Sequence, residues 1–147
     1  MKPTHLHFLL KRLKPEGISE LMGKMCNGYA KAINRQRDST GHLFESKYKI
    51  RLVNSNEYLI WLTRYIHRNP VEPSLVDRCR RWKYSSYQNY LGFGGFGSVE
   101  PSDILSLFGS VVEYEKFVEG AQLDMPEKLS ADVAAIDNRS LTVTLRP

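Results

Sequence analysis

The spacing of apolar residues changes several times along the chain, and each change marks an element. Thr4 to Leu10 reads as a short strand, followed by a basic turn from Lys11 to Gly17 that contains Pro15 and Gly17. From about Ile18 to Arg35 the period becomes helical: Ile18, Leu21, Met22, Met25, Tyr29, Ala32 and Ile33 form a stripe, with Lys24, Lys31 and Arg35 off it. Asp38-Ser39-Thr40-Gly41 is a turn cluster. His42 to Val53 then mixes β-branched, aromatic and basic residues as an extended strand does, exposing Lys47, Lys49 and Arg51.

A second helix is better delimited. Asn54 or Ser55 supplies its N-cap, Glu57 lies in its first turn, and Tyr58, Leu59, Leu62, Tyr65 and Ile66 form its buried stripe. Pro70 stops it, and the residue before a proline is disfavoured in the helical region, which predicts Asn69 at or just past the end. Next come a proline-containing link, the arginines Arg78, Arg80 and Arg81, and the aromatic run from Trp82 to Tyr90. Gly92-Phe93-Gly94-Gly95-Phe96-Gly97 lacks the Gly-Lys-Ser/Thr ending of a phosphate-binding loop and reads as a flexible connector. Pro101 to Phe108, with Ser102 as cap, and Val111 to Glu119 read as two short acidic helices. From Gln122 the pattern fades into a polar tail, in which Leu141 to Leu145 suits an edge strand.

Composition adds less than the distribution of charge. With 147 residues, 41% of them hydrophobic and 25% charged, the chain is of globular type and of one-domain size. Cys26 and Cys79 lie far apart without a Cys-x-x-Cys partner, and no apolar run is long enough for a signal peptide or a membrane span, so the expected location is the reduced cytoplasm, without membrane contact. The net charge of +5 conceals an asymmetry: 17 Lys and Arg against 7 Asp and Glu up to Tyr84, then 4 against 9. A polyanion is the partner such a basic half favours, although basic surfaces also occur on proteins that bind no nucleic acid.

Candidate chemistry begins with His5 and His7. Residues two apart on a strand share a face, so the two imidazoles can hold one ion, although the spacing alone is a weak signal and such pairs are more often ordinary surface or core residues. Tyr65 lies on the apolar stripe, where packing is its simplest role, and Tyr29 is a rival tyrosine on the first helix. His67, two residues from Tyr65, is expected to face away into solvent, and His42 to be a turn residue. Trp82, Tyr84 and Tyr87 suit either the core or stacking on unpaired bases.

Four segments occur in a telling order: His5-Leu6-His7, the stretch from Gly41 to Lys49 (Gly-His-Leu-Phe-Glu-Ser-Lys-Tyr-Lys), Tyr65-Ile66-His67-Arg68-Asn69-Pro70-Val71, and Tyr84-Ser85-Ser86-Tyr87 after Trp82. In these the chain resembles the single-tyrosine HUH transposases of the insertion-sequence-200-like group, most closely the REP-associated tyrosine transposases, over roughly His5 to Glu119. The resemblance implies an α+β fold: part of a ferredoxin-like sheet with helices on one face, lacking the strand, helix and strand that precede the histidine triplet in the family, plus a short helical extension. It implies a catalytic unit at 1–90; the residues beyond read as a glycine-rich connector with short helices at 91–121 and a polar tail, expected to be disordered, at 122–147.

For chemistry, the resemblance implies that His5 and His7 bind a divalent cation, Mg2+ or Mn2+, and that Tyr65 is the nucleophile. Asn69, one helical turn on, is the candidate third ligand through its amide oxygen. Lys47, Lys49, Arg51, Arg78, Arg80 and Arg81 are the candidate contacts to DNA phosphates. The implied activity is cleavage and joining of single-stranded or hairpin DNA through a 5′-phosphotyrosine, with a second copy of the chain as a candidate partner. The alternative is a catalytically inactive, DNA-binding remnant of such an enzyme. An unrelated metallohydrolase would need more acidic ligands near His5 and His7 than the sequence offers.

Overall fold

The computed structural model describes residues 6–44, 47–120, 125–134 and 142–146, a mixture of helix and strand. They fall into two compact units, one of 6–54 with 142–146 and the other of 55–134. Among the described residues no helix is long and apolar enough to cross a membrane.

The first unit holds strands β1 (His7–Lys11), β2 (Lys49–Leu52) and β3 (Thr142–Arg146) with helix α1 (Gly17–Arg37). The three strands form one parallel sheet in the order β1-β3-β2, pairing His7 and Lys49 with Thr142 on opposite sides. The segment expected at an edge is therefore the central strand. Alternation of residue types reports a strand's faces and not its neighbours, and these neighbours are remote in sequence. Parallel pairing requires such long connections, and α1 lies on the one between β1 and β2.

Helix α1 buries Ile18 and Met22, against which Phe8, Leu10, Met25, Cys26 and Tyr48 pack. The expected stripe is narrower than its spacing suggests, because Leu21 and Tyr29 are 45% and 47% exposed. The helix ends where Asp38 takes up left-handed backbone at φ 47°, its N–H bonded to the Asn34 carbonyl. The Asn34 amide then donates to the Gly41 carbonyl at 2.9 Å, which fixes the turn cluster read from Asp38 to Gly41.

The second unit is built around α2 (Asn56–Arg68). Ser55 is its N-cap, accepting the Tyr58 N–H at 3.0 Å. Tyr58, Leu59 and Leu62 are buried as expected, but Tyr65 and Ile66 are only half-buried. Thr63, Arg64 and His67 take their place inside. Burial of a charged or polar side chain is tolerated when its hydrogen bonds are made, and here they are. Thr63 donates to the Leu59 carbonyl at 2.8 Å.

The arginines of α2 reach α5 (Val111–Glu119). Arg64 donates from Nε to the Phe117 carbonyl at 2.8 Å and from Nη2 to that of Gly120. Arg68 donates to the carbonyls of Val118 and Glu119 at 3.0 and 3.4 Å. The final carbonyls of a helix have no intrahelical partner and carry its negative partial charge, so two guanidiniums satisfy them and complement the dipole together. The Arg64 guanidinium is also 5.5 Å from the Trp61 ring and 5.7 Å from Phe117, whose rings meet edge to face. At the other end of α5 Ser110 accepts the Glu113 N–H, and the Glu113 carboxylate accepts the Gly109 N–H.

Between α2 and α5 lie a 3-10 turn (Cys79–Arg81) and two one-turn helices, α3 (Tyr87–Tyr90) and α4 (Ser102–Leu105). Pro101, not Ser102, occupies the N-cap of α4, and the Ser102 N–H instead meets the Glu100 carboxylate at 3.1 Å. Beyond α5, α6 (Glu127–Ala134) buries Leu129.

The glycine-rich stretch, expected as a flexible connector, is closed into a loop by one side chain. Asn89 donates to the Phe96 carbonyl at 2.9 Å and accepts the Phe96 N–H at 3.1 Å. Gly92, Gly94 and Gly95 turn the chain at φ 78°, 79° and 141°. A side chain at Gly95 would strike the Asn89 amide oxygen. Gly95→Ala should therefore lower stability by about 1–3 kcal/mol in urea denaturation, through backbone strain and loss of this clamp. Arg64→Met, which keeps the apolar stem but strips two carbonyls of their donor, should cost about 2–4 kcal/mol. A loss below about 0.5 kcal/mol in the same measurement would refute the role given to Arg64.

Candidate active site

The end of α2 carries the two residues that the sequence singles out most clearly. Asn69 is the C-cap, and its N–H bonds to the Tyr65 carbonyl at 2.9 Å. Its backbone remains right-handed helical at φ −46° and ψ −38°, so Pro70 does not push it out as expected. The chain instead closes into successive turns, with Val71 N–H on the Arg68 carbonyl and Leu75 N–H on that of Pro70, and these turns hold the disfavoured geometry.

An offset of four residues puts the Asn69 side chain beside Tyr65. The Asn69 amide nitrogen lies 3.5 Å from the Tyr65 hydroxyl, a long contact, and both residues are half-buried. The amide oxygen of Asn69 accepts no hydrogen bond from the described residues. This arrangement presents a phenol with a neighbouring amide able to orient it.

Of the histidine pair, His5 lies outside the described residues. His7 is the first residue of β1, half-buried, and belongs to the other unit. Among the described residues no three His, Cys, Asp or Glu side chains are grouped to hold a metal ion. Tyr29 is also in that unit, half-exposed, with its ring 6.1 Å from Phe44. His42 is exposed in the turn region.

His67 departs furthest from expectation. It is 1% exposed instead of solvated, with Nδ1 2.8 Å from the Tyr114 hydroxyl and Nε2 3.1 Å from the Ser86 hydroxyl. One nitrogen donates and the other accepts, as a neutral imidazole requires. Tyr87, Tyr90 and Tyr114 surround the ring, with centroids 4.9 to 6.3 Å away. Burial drives its pKa down to about 3. The sequence held a signal for this: Leu59, Thr63 and His67 follow one another at four-residue steps along the buried face.

Tyr87 is wholly buried, which removes it from the candidates for base stacking. Burial also raises the pKa of Tyr87, Tyr90 and Tyr114, keeping these phenols protonated. The Cys79 thiol is pushed up to about 12, first by burial and then by the nearby Glu119 carboxylate, so it is no thiolate nucleophile.

The candidate phosphate contacts lie in both units. Lys47, Lys49 and Arg51 are exposed, with Lys49 and Arg51 on β2. Arg78, Arg80 and Arg81 are exposed around the 3-10 turn, but Arg81 grips the Asp77 carboxylate with distances of 2.9 and 2.8 Å to its two oxygens. Its charge is thereby largely balanced locally. Compared with protein-family models, curated proteins and solved structures, the chain matches none of them.

His67 makes stability dependent on pH in one direction. Its pKa is about 6.5 in the unfolded chain and about 3 in the fold, so below pH 6.5 the unfolded state binds a proton that the folded state refuses. Its contribution is complete above pH 6.5 and falls by about 1.4 kcal/mol per pH unit as the pH drops toward 3. Urea denaturation from pH 7 to 4.5 should show this loss, and His67→Gln should flatten the profile by that amount. Identical slopes in the two proteins would exclude this role for His67.

Proposed function

We propose that the chain cleaves and joins single-stranded DNA with Tyr65 as nucleophile, on a fold related to the ferredoxin-like sheet of the HUH transposases. The observation that carries this reading is the pairing of Tyr65 with Asn69 at the end of α2. It is supported by the order of the four sequence segments and by the exposed basic residues of both units. The described strands pair only in parallel, so the ferredoxin-like relation rests on the sequence resemblance alone.

Tyr65 Oη would attack a phosphodiester phosphorus, forming an O–P bond as the bond to the 3′ oxygen breaks. The tyrosine proton passes to water, leaving a 5′-phosphotyrosine and a 3′-hydroxyl. Asn69 would donate from its amide nitrogen to Oη and hold the phenol in line with the scissile bond. By the resemblance, the imidazoles of His5 and His7 and the Asn69 amide oxygen are the donors that would hold a divalent cation, Mg2+ or Mn2+; His5 lies outside the described residues, and His7 and Asn69 belong to different units. When bound, that ion polarises the phosphate and offsets charge on the departing oxygen. Attack by a second 3′-hydroxyl on the phosphotyrosine reverses the chemistry and rejoins the strand.

Incubation with labelled hairpin DNA and Mn2+ should give a covalent adduct on a denaturing gel. Tyr65→Phe should abolish it, Tyr29→Phe should not, and Asn69→Ala should slow it about 10- to 100-fold. An adduct that survives Tyr65→Phe would overturn the assignment of the nucleophile. Binding without any adduct would favour the second reading, a DNA-binding protein without catalysis, which the exposed basic residues support equally well.

A further inference from the structure

We infer that segment 78–84 is a preformed platform on which an unpaired DNA base stacks against Tyr84 while Arg78, Arg80 and Lys83 hold the adjoining phosphates. This deepens the single-stranded DNA reading above and rests on it for the identity of the partner. Its basis lies in geometry remote in sequence from Tyr65.

Tyr84 is 67% exposed, whereas Tyr58, Tyr87, Tyr90 and Tyr114 are buried. The ring is nevertheless held in place. Trp82, half-buried, meets it at a centroid distance of 5.3 Å and an interplanar angle of 72°, and the Lys83 ammonium lies 5.0 Å from its centroid. An aromatic face beside cations suits any nucleotide, because every nucleotide offers a base with a π-face and a backbone phosphate.

The backbone beneath is fixed. Cys79 is fully buried and anchors the 3-10 turn. Arg81 N–H bonds to the Arg78 carbonyl, Trp82 N–H to that of Cys79, and Ser85 N–H to that of Trp82. The Gln88 amide donates to the Arg80 carbonyl at 3.1 Å. A segment already ordered in this way loses little further entropy on binding.

Charge decides where the strand runs. Arg78 and Arg80 also line a cleft of about 520 Å³, but Asp77, Glu115 and Glu119 stand in its walls with Lys116. Three carboxylates against three cations leave the cleft without a positive excess to draw a phosphate inside. Arg81 is engaged by Asp77. The positive charge left for DNA is that of Arg78, Arg80 and Lys83, which are exposed on the same segment as Tyr84.

The test is fluorescence anisotropy with a 20-nucleotide dT strand and the full chain, across a range of salt concentrations. Tyr84→Ala should weaken binding about 10-fold with the salt slope unchanged, and Tyr84→Trp should restore it. Arg80→Ala should make the dependence of log affinity on log salt shallower by about 0.7, the value for one phosphate contact on a single strand. A duplex of equal length should be indifferent to Tyr84→Ala, since its bases are already stacked. Tyr84→Ala within twofold of the parent, an unchanged slope in Arg80→Ala, or no binding by the parent would each overturn the platform. These outcomes separate from those of the cleavage reading: the adduct is read from Tyr65→Phe on a denaturing gel, the platform from the affinity and salt slope of Tyr84→Ala and Arg80→Ala, and a failed platform leaves the adduct assay standing.

Discussion

The second unit depends on two guanidiniums from α2 that complete the end of α5. Arg64 and Arg68 supply donors to four consecutive carbonyls, Phe117 to Gly120, that a nine-residue helix cannot satisfy within itself. Because both arginines sit on the helix that carries Tyr65, the candidate nucleophile belongs to an element tied to α5 by polar contacts. His67 extends the same logic. Its bonds to Tyr114 and Ser86 tie α2 both to α5 and to the stretch leading into α3. These bonds anchor the helix from which the half-buried Tyr65 projects.

The limits of sequence reading follow from the range of the interactions. The span of α2 was legible because its signals are local: Ser55 caps it, Pro70 closes it, and Tyr58, Leu59 and Leu62 repeat at helical spacing. The burial of Arg64 was not legible, and that of His67 only through its four-residue spacing from Thr63, because their partners lie 19 to 56 residues away. Without those partners an arginine or a histidine on a helix is rightly read as solvated. The same applies to β3, whose strand character is local but whose central place depends on pairing with β1 and β2 across most of the chain. In the glycine-rich loop the glycines were legible, whereas the closing bonds from Asn89, seven residues before Phe96, were not.

The candidate site was legible in part. Tyr65 and Asn69 were picked out by the family resemblance, and a helix brings residues four apart together by geometry. The basic residues were chosen by charge alone, which does not distinguish Arg81, engaged with Asp77, from Arg80. Among the aromatic residues near them, burial separates three that sequence treats alike: Tyr87 belongs to the core, Trp82 lies between, and Tyr84 faces solvent.

The proline that ends α2 has an electrical consequence. Pro70 has no N–H, so the carbonyl of Ile66, the residue next to Tyr65, has no donor four residues on. Arg68, in the last turn of that helix, spends its guanidinium on α5 and not on its own helix end. The terminus that presents Tyr65 and Asn69 is thus the negative pole of a helix whose compensating cation is used elsewhere. Such a pole attracts positive charge and resists an approaching phosphate. A polyanion that is to react there must meet countercharge at that pole, and α2 does not provide it.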